Sequence, residues 1–208
     1  MSSKSDQYAR QAGDWTEKAY ADAAAYLAHR AELIATLGPS LAPGDEVLDL
    51  ACGDAGLGEP LVARGFRYRG VDATPEMVAE AQRRLGDRAS IEIGDLNEYT
   101  PPTPVAATTV FRALYYARDR RAFFTHVAAF TEKKVVFDLN PRQYRPDDVS
   151  ADLRAAGFGQ VQLRPFFVPQ TVALPRLVVT SAKALERSGP FAQLALRFRF
   201  TYVVAASR

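Results

Sequence analysis

Residues 47–56 read VLDLACGDAG, an apolar run that ends in small residues, with Asp49 before the turn and Asp54 directly after Gly53. An apolar strand that stops in small residues and turns into a helix leaves backbone N–H groups at the carboxyl edge of a sheet, where open α/β sheets bind their ligands. Ala51, Gly53, Ala55 and Gly56 let a ligand lie against the main chain, which larger side chains would block. The stretch predicts an α/β fold with a crevice for something flat or extended.

Working outward, short β-rich runs alternate with helical patterns. Strands are predicted over 46–51, 68–71, 90–93, 106–111 and 134–139, with helices near 57–64, 75–85, 119–131 and 147–156 between them. This alternation gives parallel strands with helices on both faces. Ahead of the first strand, Tyr8, Trp15, Ala19, Tyr20, Ala23, Tyr26, Leu27, Leu33, Ile34 and Leu37 recur at spacings of three, four and seven, so residues 1–40 read as one or two helices closed by LAPGD at 41–45. Beyond 160 the pattern changes. Val161 and Leu163 alternate with polar neighbours as in a strand, PFFVPQ breaks it, 174–187 read as a helix stopped by Ser188-Gly189-Pro190, and 190–206 alternate as a long closing strand with Leu194, Leu196, Phe198 and Phe200 on one face. The expectation is one domain over 1–208: N-terminal helices to 40, a core over 41–164, an insertion over 165–192 and a last strand over 193–208.

Composition narrows the classes. The 208 residues are 48% hydrophobic and carry 26 Lys and Arg against 24 Asp and Glu, a net charge near +2 that offers no broad footprint for nucleic acid. Cys52 is the sole cysteine and the start, MSSKSDQYARQ, has no apolar run of a secretory signal, so a reducing, cytoplasmic setting is expected. No run approaches the ~18 apolar residues of a membrane-spanning helix.

Two further acids complete the pattern. Asp72 follows Gly53 by 19 residues, close to the ~20 between a glycine turn and a ribose-binding acid in nucleotide-binding folds. Asp95, in IEIGDLNEY, ends the third strand on the same edge and can meet an exocyclic amine. Taken alone, Asp72 also reads as a cap for the helix that Thr74 and Pro75 begin. A dinucleotide loop places pyrophosphate at a helix N-terminus, and the carboxylates of Asp49 and Asp54 would repel it. They would welcome an ammonium. An adenosine joined to an amino acid, as in S-adenosylmethionine, fits both ends.

VLDLACGDAG, YRGVDATPEMVAEA and IEIGDLNEY, in this order and spacing, resemble the class I (Rossmann-like) S-adenosylmethionine-dependent methyltransferases over roughly residues 45–160. The resemblance implies a seven-stranded sheet of order 3-2-1-4-5-7-6 with the last strand antiparallel, helices on both faces, an N-terminal helical lid and a helical insertion before the last strand. It implies that Asp49, Ala51 and Gly53 hold the methionine end, that Asp72 binds the ribose beside Ala73, Thr74 and Met77, and that Asp95 and Leu96 recognise the adenine. Phe111 and Arg112 would lie near the sulfonium. The family's loop is D-x-G-x-G-x-G, and Ala51 and Ala55 stand here for its outer glycines.

In such a lid His29 or Arg30 can face the site, and Tyr20 can lie beside the cofactor. Tyr115 and Tyr116, in FRALYYARD, are candidates for the acceptor pocket, with Asp119 as a helix cap. Candidate bases are His29, Tyr116 and Asp138. Cys52 and His126 read as packed residues, because no histidine neighbours Cys52 and His126 sits in a helix that covers the sheet. The [DN]-P-P-[YF] signature of amino-group methylation is missing after the fourth strand, where FRALYY stands, and Asp138-Leu139-Asn140 has the wrong spacing for a catechol-type metal site, so no metal is expected. The insertion, rich in Phe, Val, Leu and Pro, predicts a wall of an apolar pocket and a small apolar methyl acceptor. Lys183, Arg187, Arg197 and Arg199 form either a solvated face or a docking face for a membrane surface or an acidic acceptor. The competing functional readings are a cofactor-binding protein without catalysis and a nicotinamide-dependent oxidoreductase.

Overall fold

Strand β1 (Glu46–Leu50) is buried along its whole length, so both of its faces need cover. In the computed structural model, which describes residues 15–195 and 201–208, that cover comes from helices on the two sides of a seven-stranded sheet ordered β3-β2-β1-β4-β5-β7-β6. The other strands are β2 (Arg67–Asp72), β3 (Ser90–Ile93), β4 (Val105–Val110), β5 (Thr131–Leu139), β6 (Gln160–Pro165) and β7 (Tyr202–Ser207). Strands β1 to β5 run parallel, and β7 lies antiparallel between β5 and β6.

Successive residues of a strand point to opposite faces, and the core divides accordingly. Val47, Val136, Val203 and Ala205 pack on one side with helices α1 (Trp15–Ala19), α2 (Ala23–Thr36), α3 (Gly58–Val62) and α4 (Pro75–Leu85). Leu48, Val135, Phe137, Val204 and Ala206 face the other side, under α5 (Arg120–Phe130) and α6 (Pro146–Ala155), whose Phe123, Phe124, Val149 and Leu153 are buried there. Asp119 caps α5 by accepting from Ala122 N at 2.9 Å, and His126 bonds the Tyr99 carbonyl at 2.9 Å.

The N-terminal helical region divides at residues 20–22, where Asp22 accepts from Ala25 N at 3.0 Å and starts α2. Tyr8 lies outside the described residues. The closing strand is shorter than its alternation predicts. Residues Arg176–Glu186 form α7, Pro190–Ala195 form a further helix, α8, and among the described residues the strand occupies Tyr202–Ser207. Gly189, at φ +62°, turns the chain into α8, and Pro190 stands first in it, a position where its missing N–H costs nothing. Leu196, Arg197, Phe198, Arg199 and Phe200 lie outside the described residues.

A lysine is among the polar side chains that the sheet buries. Lys134, buried on β5, donates from Nζ to the carbonyl of Leu37 at 2.8 Å, just beyond the C-terminus of α2. Cations at a helix C-terminus are stabilised by the carbonyls left over there. Burial nevertheless dominates and, with Lys133 nearby, brings the amine down to about 8. The folded protein therefore holds fewer protons than the unfolded chain between about 8 and the ordinary lysine value of 10.5. Stability should rise with pH across that window. Urea unfolding of the native protein and of Lys134→Met should show their difference shifting in favour of the native protein by ~1–2 kcal/mol between roughly pH 7.5 and 9.5; a difference independent of pH would refute the assignment.

Candidate functional site

The carboxyl ends of β1, β2, β3 and β4 stop along one edge, and a cavity of about 390 Å³ opens there. Asp49, Ala51, Gly53, Asp72, Ala73, Thr74, Met77, Asp95, Leu96, Phe111 and Arg112 all line it, together with Tyr20 and Arg30 from the N-terminal side and Tyr115 and Tyr116 beyond β4. The topology thus gathers nearly every predicted site residue into one crevice.

Asp49 is buried at its centre. Tyr68 donates to Oδ2 at 2.8 Å and Thr109, opposite it on β4, to Oδ1 at 2.7 Å. Burial raises the carboxyl to about 6 against these bonds and the nearby Arg30. A cationic ligand group would reverse that balance.

Asp72 ties the two loops of the crevice together, accepting from Gly53 N and from Thr74 N, each at 2.9 Å. Thr74, not Asp72, occupies the N-cap of α4. Each carboxylate oxygen still has acceptor capacity for ligand hydroxyls. Asp95 receives Asn97 N and Nδ2 on one oxygen, both at 2.8 Å, and Arg118 on the other at 2.6 Å. The backbone hydrogen bond from Asn97 leads in holding its carboxyl low.

Ala51 and Ala55 adopt φ +58° and +54°, the left-handed region in which the glycines of the related loop are unstrained. An L-residue there costs ~1–2 kcal/mol, which the surrounding packing offsets. Ala55 is fully buried in the core and does not face the cavity. Cys52 lines the cavity, and burial followed by Asp49, Asp72 and Asp54 pushes its thiol well up. A thiol so protonated is a packing group.

Asp54 has a different role from the one its position suggests. It accepts from Thr16 N at 3.0 Å, Thr16 Oγ1 at 2.6 Å, Gly56 N at 3.3 Å and Arg84 Nη2 at 2.9 Å. The carboxylate is therefore used to fasten α1 across the loop. Gly56 serves the same contact, since a Cβ there would lie 2.2 Å from Thr16 Oγ1. Sequence reading missed Thr16, because only the fold brings it to the loop.

Arg30 is buried against the ring of Phe111, 4.4 Å from its centroid, and donates to Tyr26 Oη at 2.9 Å and to Asp138 Oδ2 at 3.1 Å. Its Nε is buried and has no hydrogen-bond partner among the described residues. Asp138 Oδ1 accepts from Arg112 N at 2.7 Å, so both oxygens of this candidate base are engaged in placing arginines. Arg112 itself holds φ +56°, and its guanidinium lies 5.7 Å from the Tyr20 ring centroid.

Two expectations fail here. His29 does not face the cavity: consecutive helical residues point about 100° apart, and with Arg30 turned inward His29 packs on Phe166 and bonds Glu186 at 2.6 Å. The insertion also contributes no wall of the cavity among the described residues of 165–192. It packs instead behind α2, with Phe166 and Val168 in the core. Of the candidate bases this leaves Tyr116, which lines the cavity with Tyr115, their ring centroids 4.3 Å apart.

Comparison with known proteins bears on this crevice. The family model of a methyltransferase domain matches residues 47–134, from β1 into β5. An uncharacterised methyltransferase of Schizosaccharomyces pombe is 43% identical over 56 residues, a match that covers 27% of this chain and spans 21% of that relative. Among solved structures, a chain of the complex between the Trm112 methyltransferase activator of Haloferax volcanii and a methyltransferase is similar with a TM-score of 0.65 at 19% identity, covering 97% of each chain. A TehB-like S-adenosylmethionine-dependent methyltransferase of Corynebacterium glutamicum gives 0.65 at 17% identity over 98% of this chain and 97% of its own. The magnesium protoporphyrin IX methyltransferase of Synechocystis, solved with S-adenosylmethionine bound, gives 0.57 at 17% identity over 100% and 85%. These structural likenesses establish the fold, a seven-stranded Rossmann-like sheet of the methyltransferase order.

The fastening of α1 can be tested without a ligand. Gly56→Ala should displace Thr16 and destabilise the protein by ~1–3 kcal/mol in urea unfolding, as overpacking does. Combined with Thr16→Ala it should cost clearly less than the two single changes together; additive losses would show that the two sites do not touch.

Proposed function

We propose that this chain, whose residues 47–134 carry a methyltransferase domain, is an S-adenosylmethionine-dependent methyltransferase that acts on a small, largely apolar acceptor. The observation that carries the reading is the convergence of Asp49, Asp72 and Asp95 with the small loop residues Ala51 and Gly53 on one crevice. Asp49 suits the amino acid's ammonium, and the buried, unsatisfied Nε of Arg30 suits its carboxylate. Asp72, with acceptor capacity left on both oxygens, suits the ribose hydroxyls. Asp95, the Leu96 backbone and the apolar flank of Ala73, Thr74 and Met77 suit the adenine.

The cofactor supplies, when bound, an activated methyl group open to in-line displacement. The chain's part is to orient and to exclude water. Tyr20, Phe111 and Ala113 close the crevice with apolar surface, and α1, fastened through Asp54, narrows its mouth. Bringing two reactants into line in such a site contributes several kcal/mol. Tyr116 can hydrogen-bond an acceptor through its hydroxyl, and Asp138 acts by placing Arg30 and Arg112. The aromatic lining of Tyr20, Phe111, Tyr115 and Tyr116 favours an acceptor with apolar surface.

Calorimetric titration tests the cofactor directly. S-adenosylmethionine should bind, NAD should not displace it, and Asp72→Ala should weaken binding by ~10–100-fold, the loss of hydrogen bonds to a charged group. No binding to S-adenosylmethionine, or tighter binding of NAD, would remove the reading. Release of S-adenosylhomocysteine with an apolar hydroxylated acceptor separates an enzyme from a protein that only binds the cofactor.

Asp49 makes a second prediction. The free carboxyl takes up a proton near pH 6, whereas the complex needs it ionised, so acid competes with the ligand. Affinity should fall by about tenfold for each pH unit below that value. Asp49→Asn should bind weakly at every pH and lack this dependence; an unchanged slope would assign the titration to another group.

A further inference from the structure

Helices α7 and α8, with the loop before them, form a cap behind α2, and Glu186 is the one acid in this stretch of sequence. The described residues of the cap do not line the crevice, yet one of them reaches it through another residue. Gln170 lies in the loop between β6 and α7. Phe166 and Val168 are buried in the core, and the Phe167 N–H donates to Glu186 Oε1 at 2.7 Å. The chain is thus pinned immediately before Gln170.

Gln170 holds the main chain on both sides of Tyr20. Its Nε2 donates to the carbonyl of Ala19 at 2.9 Å, and its own carbonyl accepts from Ala21 N, also at 2.9 Å. Ala19 ends α1 and Asp22 caps α2, so both groups belong to a link where no helix supplies a partner. The Ala19 carbonyl and the Ala21 N–H lie in the two peptide planes that meet at the Tyr20 Cα. Holding both planes fixes φ and ψ of Tyr20. Only the side-chain torsions remain, and the ring stacks on Tyr26, 4.5 Å between centroids, and lies 5.7 Å from the Arg112 guanidinium at the wall of the crevice.

The two anchors of this link differ in strength. Thr16 Oγ1 bonds the buried carboxylate of Asp54 at 2.6 Å, whereas Gln170 offers neutral bonds at a half-buried place. Bonds to a charged partner are roughly twice as strong as neutral ones, so the link opens at Gln170 first.

We propose that Gln170 is a positioning residue for the cofactor, a latch that holds Tyr20 over the crevice and sets how fast S-adenosylmethionine leaves; this rests on the cofactor reading given above. Release of the Ala19 carbonyl frees the peptide plane before Tyr20 while α1 stays on Asp54, and the ring then swings away from Tyr26 without either helix unfolding. The cap bears on ligand exchange although it touches no ligand.

Gln170→Met keeps the length of the side chain and removes the donor. Without ligand, hydrogen exchange over residues 16–26 should quicken at Ala21 by about fivefold, the loss of one neutral hydrogen bond; exchange equal to that of the native protein would overturn the proposal. With ligand, labelled S-adenosylmethionine chased by unlabelled should leave the variant about fivefold faster than the native protein. Tyr20→Ala should also release it faster, and Gln170→Met added to Tyr20→Ala should change nothing further, because the two act as one unit. A general loss of packing would speed release alike with and without the Tyr20 ring, and that result would refute the latch. Failure of the native protein itself to bind S-adenosylmethionine would strike the cofactor reading and with it the role of Gln170 in release, an outcome told apart from the others because the native protein shows it.

Discussion

The carboxylate of Asp54 receives four donors from three separate segments: both polar groups of Thr16 on α1, Gly56 of the loop after β1, and Arg84 at the end of α4. A buried charge with one partner is costly, and one whose lone pairs are all met is stable. The enclosure of the crevice follows from this saturation. Without it α1 would have only a few contacts to hold it, and the edge of the sheet would be an open shelf where water competes for every polar group. The loop composition has the same logic, because Gly56 is bare to admit Thr16 as much as to admit a ligand.

The sheet and its crevice were legible in the sequence because their signals are local. Strand β3 (Ser90–Ile93) and helix α4 (Pro75–Leu85) begin and end where the periodicity and Pro75 place them. Asp49, Asp72 and Asp95 were recognisable because parallel strands of similar length deliver their carboxyl ends to one edge. What escaped were choices settled by distant partners. Nothing near Asp54 in sequence announces Thr16, 38 residues away. His29 and Arg30 are neighbours in one helix, and only the position of Phe166 and Glu186 decides which of them turns to the cavity. Residues 190–195 carry an apolar pattern compatible with either period, and the turn at Gly189 followed by Pro190 selects the helix.

At the end of β4, strain and charge are arranged together. Arg112 is held at φ +56°, a conformation that bulky residues avoid and that persists where the surroundings over-determine it. Here the determinant is Asp138, which takes the Arg112 N–H on one oxygen and the Arg30 guanidinium on the other. One carboxylate thereby fixes the end of β4 and the inward turn of α2. Arg30 keeps its charge although burial works against it, because Tyr26, Tyr20, Asp138 and Asp49 together outweigh that burial. The aspartate at the head of the crevice and the arginine opposite it are thus kept distinct in sign.

The orientation of the cap follows from its one acid. Had α7 packed by hydrophobicity alone, Leu177 and Leu185 would face α2 and the charges would face water. Glu186 instead points inward, where His29 bonds one oxygen and the Phe167 N–H donates to the other at 2.7 Å. Replacing such a pair with apolar residues is often neutral or stabilising, so its worth lies in specifying geometry. With Glu186 committed to His29, the leucine face has only one direction left to point. The same contact joins the cap to the residue next to Arg30, so the outward apolar surface and the inward cavity are set by adjacent side chains on a single turn of α2.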